Sequence, residues 1–171
     1  MPKPSNILAG SAWADESEEL IMKTLKPRIL YVEDHEDTRE LIALILRESQ
    51  FAVTTAATIE ETLQLARRDN FNLFIFDSWL LDGSGINLCK QIREFDDCTP
   101  ILFYSGAAYE KDKCLAMSSG AQGYLIKPVE VPQLLAAIKS LINPDNKSIS
   151  ESGEETAGMT IAGGGNWGRL L

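Results

Sequence analysis

Long apolar runs are missing from this sequence of 171 residues. The longest unbroken one, residues 41–46, is far shorter than the roughly 20 apolar residues that a membrane-spanning helix needs. The N-terminal region also lacks the apolar stretch of a secretory signal, because acidic residues follow its short apolar patch from Asp15 onward. We therefore expect a cytoplasmic protein with no membrane association.

Positive charge is scarce as well. The chain has 16 Lys and Arg against 25 Asp and Glu, which gives a formal net charge of −9. No basic stripe interrupts this acidic composition, and phosphate contacts from Lys and Arg supply most of the non-specific affinity for nucleic acids. Direct nucleic-acid binding is therefore not expected.

Cysteine and histidine are too few, and wrongly spaced, for a zinc site. The three cysteines, Cys89, Cys98 and Cys114, form no C-x-x-C pair, and His35 is the only histidine. We interpret the cysteines as buried reduced thiols and His35 as a solvated loop residue.

What the sequence does contain is an alternation of strand and helix patterns between residues 28 and 143. Short apolar runs rich in β-branched and aromatic residues predict strands, and their near-continuous apolarity suggests that both faces of each strand are covered. The predicted strands are residues 29–32, 73–76, 101–104 and 124–126, with 52–56 as a weaker strand nearer an edge of the sheet.

Five helical patterns follow these strands, one after each. The second is the best marked, because Thr58 and Glu61 form a T-x-x-E capping box ahead of an apolar stripe. The fifth holds Pro132 in its first turn, where proline is tolerated. Strict β-α alternation requires right-handed crossovers, so the sequence predicts a doubly wound α/β fold with a five-stranded parallel sheet and five helices.

Polar side chains follow four of the predicted strands. Glu33 and Asp34 come after the first strand, Asp77 after the third, Ser105 after the fourth and Lys127 after the fifth. In a parallel sheet these strand ends share one edge, so the side chains should converge there. Three carboxylates in one place repel each other unless a cation lies between them, which favours a Mg²⁺ site with Lys127 as a further counter-charge.

Four stretches of this chain resemble the receiver domain of two-component response regulators. The resemblance covers residues 28–143, and its motifs are ILYVEDHEDTRELI (29–42), LFIFDSWLLDGSG (73–85), PILFYSG (100–106) and AQGYLIKP (121–128). It implies a flavodoxin-like fold with strand order 2-1-3-4-5 and a cis peptide bond between Lys127 and Pro128.

The resemblance also implies site roles. Asp77 stands at the phosphoacceptor position and Lys127 at that of the lysine that pairs with the phosphoryl group. The implied Mg²⁺ ligands are Glu33, Asp34, Asp77 and the backbone carbonyl of Trp79.

Ser105 and Tyr124 match the switch residues that respond to the phosphoryl group. Two positions depart from the family pattern: Leu81 replaces a frequent proline, and Glu33 replaces the commoner aspartate. Neither departure removes a ligand atom, so the prediction of an active receiver stands.

These implications predict a single-domain response regulator rather than an enzyme acting on other molecules. It would accept a phosphoryl group from a histidine kinase or phosphotransfer protein, catalyse only its own phosphorylation and dephosphorylation, and signal to a downstream protein target as a monomer or weak dimer. The alternative is a pseudo-receiver that acts as a constitutive interaction module. A phosphohydrolase of the haloacid-dehalogenase type is excluded, because it needs a second aspartate where Trp79 stands.

The remaining residues are predicted to flank this domain. We expect an N-terminal arm over residues 1–27 and, beyond the receiver at 28–143, a flexible acidic and glycine-rich tail over residues 144–171.

Overall fold

A parallel sheet with helices on both faces forms the body of the protein. The computed structural model describes residues 26–143 and 160–161. The strands are β1 Arg28–Val32, β2 Ala52–Ala56, β3 Leu73–Phe76, β4 Trp79–Leu80, β5 Gly83–Ser84, β6 Ile101–Ser105, β7 Gly123–Ile126 and β8 Thr160–Ile161. The helices are α1 Glu36–Glu48, α2 Ile59–Arg68, α3 Gly85–Arg93, α4 Glu110–Ser118 and α5 Val131–Ile142.

The order of the five parallel strands is β2-β1-β3-β6-β7. These are the five predicted strands, and their order confirms the 2-1-3-4-5 topology. The weak second strand does lie at an edge, as predicted. The cis peptide bond between Lys127 and Pro128 is also present.

Two apolar layers cover the sheet, one on each face. Alternate residues of a strand point to opposite faces, so Leu30 and Val32 contribute to one layer while Ile29 and Tyr31 contribute to the other. The first layer includes side chains of α2, α3 and α4, and the second includes side chains of α1 and α5. The sheet is therefore doubly wound.

Side chains that cap the helices fix where α1 and α2 begin. Thr58 Oγ1 accepts a hydrogen bond from the Glu61 backbone N–H at 3.2 Å, so the predicted cap on α2 is present. His35 is exposed, as expected of a loop residue, and its Nδ1 accepts from the Thr38 backbone N–H at 3.4 Å at the start of α1. Both caps place the loops that follow β1 and β2 at the carboxyl edge of the sheet.

Two further strand pairs were not predicted. Strands β4 and β5 form a short antiparallel hairpin between β3 and α3. Strand β8 pairs antiparallel with β7 and adds a sixth strand at that edge of the sheet. Residues 160–161 therefore differ from the flexible tail expected there, while the N-terminal arm and the rest of the tail lie outside the described residues.

The prediction of buried cysteines was right for one residue and wrong for two. Cys89 is buried in α3, but Cys98 and Cys114 are exposed, and all three are free thiols. Cys98 lies in the loop before β6, and Cys114 lies in α4, where Ala116 is the buried residue. None of the helices in the described ranges is long and apolar enough to cross a membrane.

Candidate functional site

Four of the predicted site residues meet at the carboxyl edge of the sheet. Asp77 follows β3 directly, Ser105 ends β6, and Lys127 follows β7. Lys127 Nζ donates to Asp77 Oδ2 at 2.6 Å, and Ser105 Oγ donates to Asp77 Oδ1 at 2.6 Å. Lys127 also forms an ion pair with Glu33 Oε2. The parallel sheet brings these side chains together across up to 94 positions of sequence.

Lys127 pairs with two carboxylates at once. Glu33 is only 3% exposed, so its negative charge requires a counter-charge nearby. Burial by itself lowers the pKa of the Lys127 ammonium, but hydrogen bonds to Asp77 and Glu33 outweigh it, and this pKa is raised above its ordinary value. The ammonium also lies 5.2 Å from the centre of the Tyr104 ring, a distance typical of a cation–π contact. The lysine is therefore fixed in its charged form.

Two of the three carboxylates predicted to bind Mg²⁺, Glu33 and Asp77, form ion pairs with Lys127. Carboxylate and carbonyl oxygens are suitable donors for a hard divalent cation. Within residues 26–143, however, no three carboxylate, histidine or cysteine side chains are grouped closely enough to hold a metal ion. Lys127 bridges Glu33 and Asp77, and Asp34, which follows Glu33 in the chain, is half-buried. The donor chemistry suits Mg²⁺, but the observed arrangement is bridged by a lysine.

The loop after Asp77 turns back onto it. The Trp79 backbone N–H donates to Asp77 Oδ1 at 3.2 Å, and the Gly85 backbone N–H donates to the Ser78 carbonyl at 3.0 Å. A side chain at Gly85 would place its Cβ 2.0 Å from the Asp77 carbonyl oxygen, so α3 can begin this close to Asp77 only with glycine there. The Trp79 side chain itself is 68% exposed.

The hairpin that carries Trp79 is attached to α2. Asp82 lies at its turn, and the Ile59 backbone N–H, at the first residue of α2, donates to Asp82 Oδ2 at 2.7 Å. Leu81, which replaces the family's frequent proline, lies in the same turn and is exposed. Hydrogen bonding to α2 therefore holds the loop at a place where proline would otherwise restrict it.

Tyr124 is buried behind the site. Its ring stacks on Phe103, with ring centres 5.9 Å apart, and its hydroxyl donates to the Ala107 carbonyl at 2.7 Å. The same hydroxyl lies 3.3 Å from Ser78 Oγ. Burial raises the pKa of Tyr124, so the phenol stays neutral at physiological pH. Tyr124 thus links the loop after Asp77 to the loop after Ser105.

Sequence reasoning missed three residues of this site. Tyr31, wholly buried, donates from its hydroxyl to Glu33 Oε2 at 3.1 Å. The Arg39 guanidinium donates to the backbone carbonyls of Glu33 and Asp34 at 2.8 and 3.1 Å. The third is Ser78, which meets Tyr124. Period-two alternation in β1 was a signal for Tyr31, because a tyrosine two residues before Glu33 must share its face of the strand.

A cavity lies between the β4–β5 hairpin and α4. Its volume is about 270 Å³. The residues that line it are Ser78, Trp79, Ser84, Ile86, Asp112 and Leu115.

This fold and this group of side chains define a doubly wound α/β domain with an aspartate, a serine and a lysine in contact at its carboxyl edge. The response regulator receiver domain family matches residues 29–139 of the chain. The chain belongs to that family. Receiver domains act in two-component signalling, where phosphorylation and magnesium are typical, and they interact with histidine kinases and downstream targets.

Full-length regulators are among its relatives. The chain is 30% identical over 142 residues to the alkaline phosphatase synthesis transcriptional regulatory protein PhoP of Bacillus subtilis, with 81% of this chain and 59% of PhoP covered. It is 31% identical over 116 residues to the transcriptional regulatory protein BaeR of Escherichia coli O6:H1, with 68% and 48% covered. The chain therefore spans about half the length of the curated relatives it matches.

Solved receiver domains share the fold. A CheY-like receiver domain protein from Methanospirillum hungatei is 28% identical and superposes with a TM-score of 0.68, over 72% of this chain and 98% of that one. The non-phosphorylated HemR receiver domain from Leptospira biflexa is 29% identical, with a TM-score of 0.64 over 75% and 100% of the two chains.

Proposed function

We propose that residues 28–143 receive a phosphoryl group on Asp77 from a histidine kinase or phosphotransfer protein. The observation that carries this proposal is the environment of the Asp77 carboxylate. One of its oxygens accepts from Lys127 and the other accepts from Ser105, each at 2.6 Å. The Asp77 carboxylate can therefore act as a nucleophile, and the two donors beside it can bind the oxygens of an incoming phosphoryl group.

The chemistry follows from those donors. An Asp77 oxygen attacks the phosphorus of the donor, the bond from phosphorus to the donor group breaks, and the donor leaves with that electron pair. The transferred group carries negative charge on three oxygens, which Lys127 and the Ser105 hydroxyl can stabilise without a separate general base. The receiver then catalyses only its own phosphorylation and dephosphorylation.

Mg²⁺ is the proposed cofactor, as is general in this family. Its proposed ligands are Glu33, Asp34, Asp77 and the backbone carbonyl of Trp79. When bound, the cation would neutralise phosphoryl oxygens that the lysine and the hydroxyl leave unpaired. Binding requires Glu33 and Asp77 to share their charge between Lys127 and the metal, because both carboxylates already pair with the lysine.

The proposed switch consists of Ser105 and Tyr124. A phosphoryl group on Asp77 would draw the Ser105 hydroxyl toward itself and away from its present position at Asp77 Oδ1. As Ser105 moves, the Tyr124 side chain would also move and its hydrogen bond to the Ala107 carbonyl would break. The loop after β6 would then rearrange.

The output is proposed to be a protein contact made by the receiver itself, acting as a single-domain regulator in the cytoplasm. Large apolar side chains are exposed on the hairpin, in α4 and at the residue before α4, and contiguous groups of this kind mark contact surfaces. They are Trp79, Leu81, Tyr109 and Leu115. A monomer or weak dimer without direct nucleic-acid binding is proposed.

Beryllofluoride with Mg²⁺, a stable mimic of the phosphoryl group, tests this function. We expect it to change the tryptophan fluorescence of the full chain, and we expect Trp79→Phe to lose most of that change. A small phosphodonor should also yield one phosphorylated aspartate, which Asp77→Asn abolishes. Phosphorylation that persists in Asp77→Asn would contradict the assignment.

The pseudo-receiver is the second candidate, and the bridging lysine favours it. Lys127 already pairs with Glu33 and Asp77, so part of their negative charge is balanced without a metal. A pseudo-receiver would give neither phosphoprotein nor a fluorescence change with saturating Mg²⁺ and beryllofluoride, and its partner binding would be the same with and without them.

A further inference from the structure

A buried tyrosine lies directly beneath the acidic pair Glu33 and Asp34, and the roles proposed above do not use it. Tyr31 is in β1, which pairs with β2 on one side and β3 on the other, and none of its surface is exposed. It lies on the face of the sheet covered by α1 and α5. Its hydroxyl donates to Glu33 Oε2 at 3.1 Å.

The Glu33 carboxylate depends on hydrogen-bond donors to fix its position. Its side chain has one more methylene than aspartate, and therefore one more rotatable bond to fix. Glu33 Oε2 accepts hydrogen bonds from the Tyr31 hydroxyl and from Lys127 Nζ. Glu33 Oε1 accepts one from the His35 backbone N–H at 3.3 Å. Of these three donors, Tyr31 is the one built into the rigid centre of the sheet.

We propose that Tyr31 is a positioning residue of this site: its hydroxyl holds the Glu33 carboxylate where a divalent cation can bind it. Hydrogen bonds to ligating carboxylates orient them, and losing such a bond commonly lowers metal affinity by about 10-fold to 100-fold. The proposal rests on the proposed function, because it takes Glu33 to be a ligand of the cation.

The structure supplies a matched control. Tyr104 is also buried on the same face, and its ring lies 5.2 Å from Lys127 Nζ. Tyr104→Phe removes the phenolic hydroxyl of a ring that contacts the same lysine but leaves the Tyr31–Glu33 hydrogen bond in place. Both substitutions keep their aromatic rings, so the packing of the sheet is retained.

The test is an equilibrium titration of the full chain with MgCl₂, followed by tryptophan fluorescence. Tyr31→Phe should weaken Mg²⁺ binding by about tenfold or more, whereas Tyr104→Phe should leave it close to wild type. The titration is repeated in a Glu33→Asp background, in which the shorter carboxylate lies beyond the reach of Tyr31. There, Tyr31→Phe should have little further effect, because the two substitutions remove the same contact.

Metal-free melts in EDTA accompany the titration and show that each variant is folded. Equal losses of Mg²⁺ affinity from Tyr31→Phe in the wild-type and Glu33→Asp backgrounds would reduce Tyr31 to a packing residue and overturn the proposal. Unchanged or tighter Mg²⁺ binding by Tyr31→Phe would overturn it as well. If the wild type binds Mg²⁺ and is phosphorylated while Tyr31→Phe matches it, only this inference fails. A wild type that binds no Mg²⁺ contradicts the inference and the proposed cofactor together.

Discussion

Lys127 shows how one residue can determine the charge balance of a whole site. Its side chain is 19% exposed, and those of its partners Glu33 and Asp77 are 4% and 13% exposed. Charges so far from water are costly unless each is paired. With the lysine present, the three groups carry a net charge of about −1 rather than −2.

Removing that lysine should destabilise the protein strongly. Lys127→Met keeps a similar volume but leaves Glu33 and Asp77 without their counter-charge, which we expect to lower the free energy of unfolding by about 3 to 5 kcal/mol in EDTA at neutral pH. Urea denaturation of wild type and variant measures this loss. Arg68→Met is the control, because Arg68 is 73% exposed where it pairs with Asp69, so its loss should cost only about 0.2 to 1 kcal/mol. Equal losses from the two variants would contradict the role given to Lys127.

The same lysine predicts a pH dependence. The pKa of Lys127 in the folded protein is raised above 10.5, so its contribution to stability is complete below the pKa of the unfolded chain. That contribution is lost as the pH rises through the folded-state pKa. The stability difference between wild type and Lys127→Met should therefore stay constant from about pH 7 to pH 9 and shrink above about pH 10.5. Denaturant unfolding of both proteins across this range measures it, and a difference that already shrinks below about pH 9 would show that another group is responsible.

At the scale of elements, the close approach of α3 to Asp77 is the feature that the site depends on. A Cβ at Gly85 would lie 2.0 Å from the Asp77 carbonyl oxygen and 3.1 Å from a ring atom of Phe103. Neither neighbour can yield easily, because one is backbone and the other lies in the core.

Gly85→Ala should therefore push α3 away from β3 and displace Asp77. We expect a loss of about 1 to 3 kcal/mol in the free energy of unfolding, together with weaker phosphorylation by a small phosphodonor. Gly106→Ala is the matched control, since its added Cβ would meet none of the described atoms within 4 Å. Thermal melts and phosphoprotein yield distinguish the two variants. A Gly85→Ala protein that matches Gly106→Ala in both would show that α3 can move without consequence.

The strands and helices differ in how well the sequence predicts them. The central strands could be predicted because buried parallel strands such as LFIF at β3 are almost wholly apolar, and α2 because Thr58 and Glu61 mark its start. The β4–β5 hairpin could not, because two-residue strands carry no measurable periodicity. The hairpin is held by the hydrogen bond from the Ile59 N–H to Asp82. These residues are 23 positions apart, so no local sequence pattern indicates the contact.

The residues of the site were likewise predicted only in part. Strand ends indicated which residues converge, and Asp77, Ser105 and Lys127 do meet. Which charges neutralise each other depends on side-chain reach rather than order along the chain. Lys127 therefore bridges two carboxylates that the sequence suggested would surround a metal, and the Tyr31 hydroxyl became visible only through its distance to Glu33.

At the scale of the whole molecule, the two edges of the sheet differ within the described residues. Strand β2 ends the sheet on one side, while β8 covers β7 on the other. Unpaired strand edges can pair with other chains, and proteins commonly cover them. Here the covering segment pairs with the strand that carries Tyr124, since Thr160 lies opposite it and Ile161 lies opposite Gly123.

Amide hydrogen exchange should detect the pairing of β8 with β7. Proline has no backbone N–H and is excluded from paired positions of a ladder, so the double variant Thr160→Pro and Ile161→Pro should release β8 from β7. We expect faster amide exchange at the β7 residues that pair with β8, Gly123 and Tyr124, and unchanged exchange in the opposite edge strand, Ala52–Ala56, which is the internal control. Because few contacts are lost, the free energy of unfolding should change by no more than about 0.5 kcal/mol. If β7 exchanges at the same rate in both proteins, its edge is open in solution and β8 does not protect the strand that carries the proposed switch.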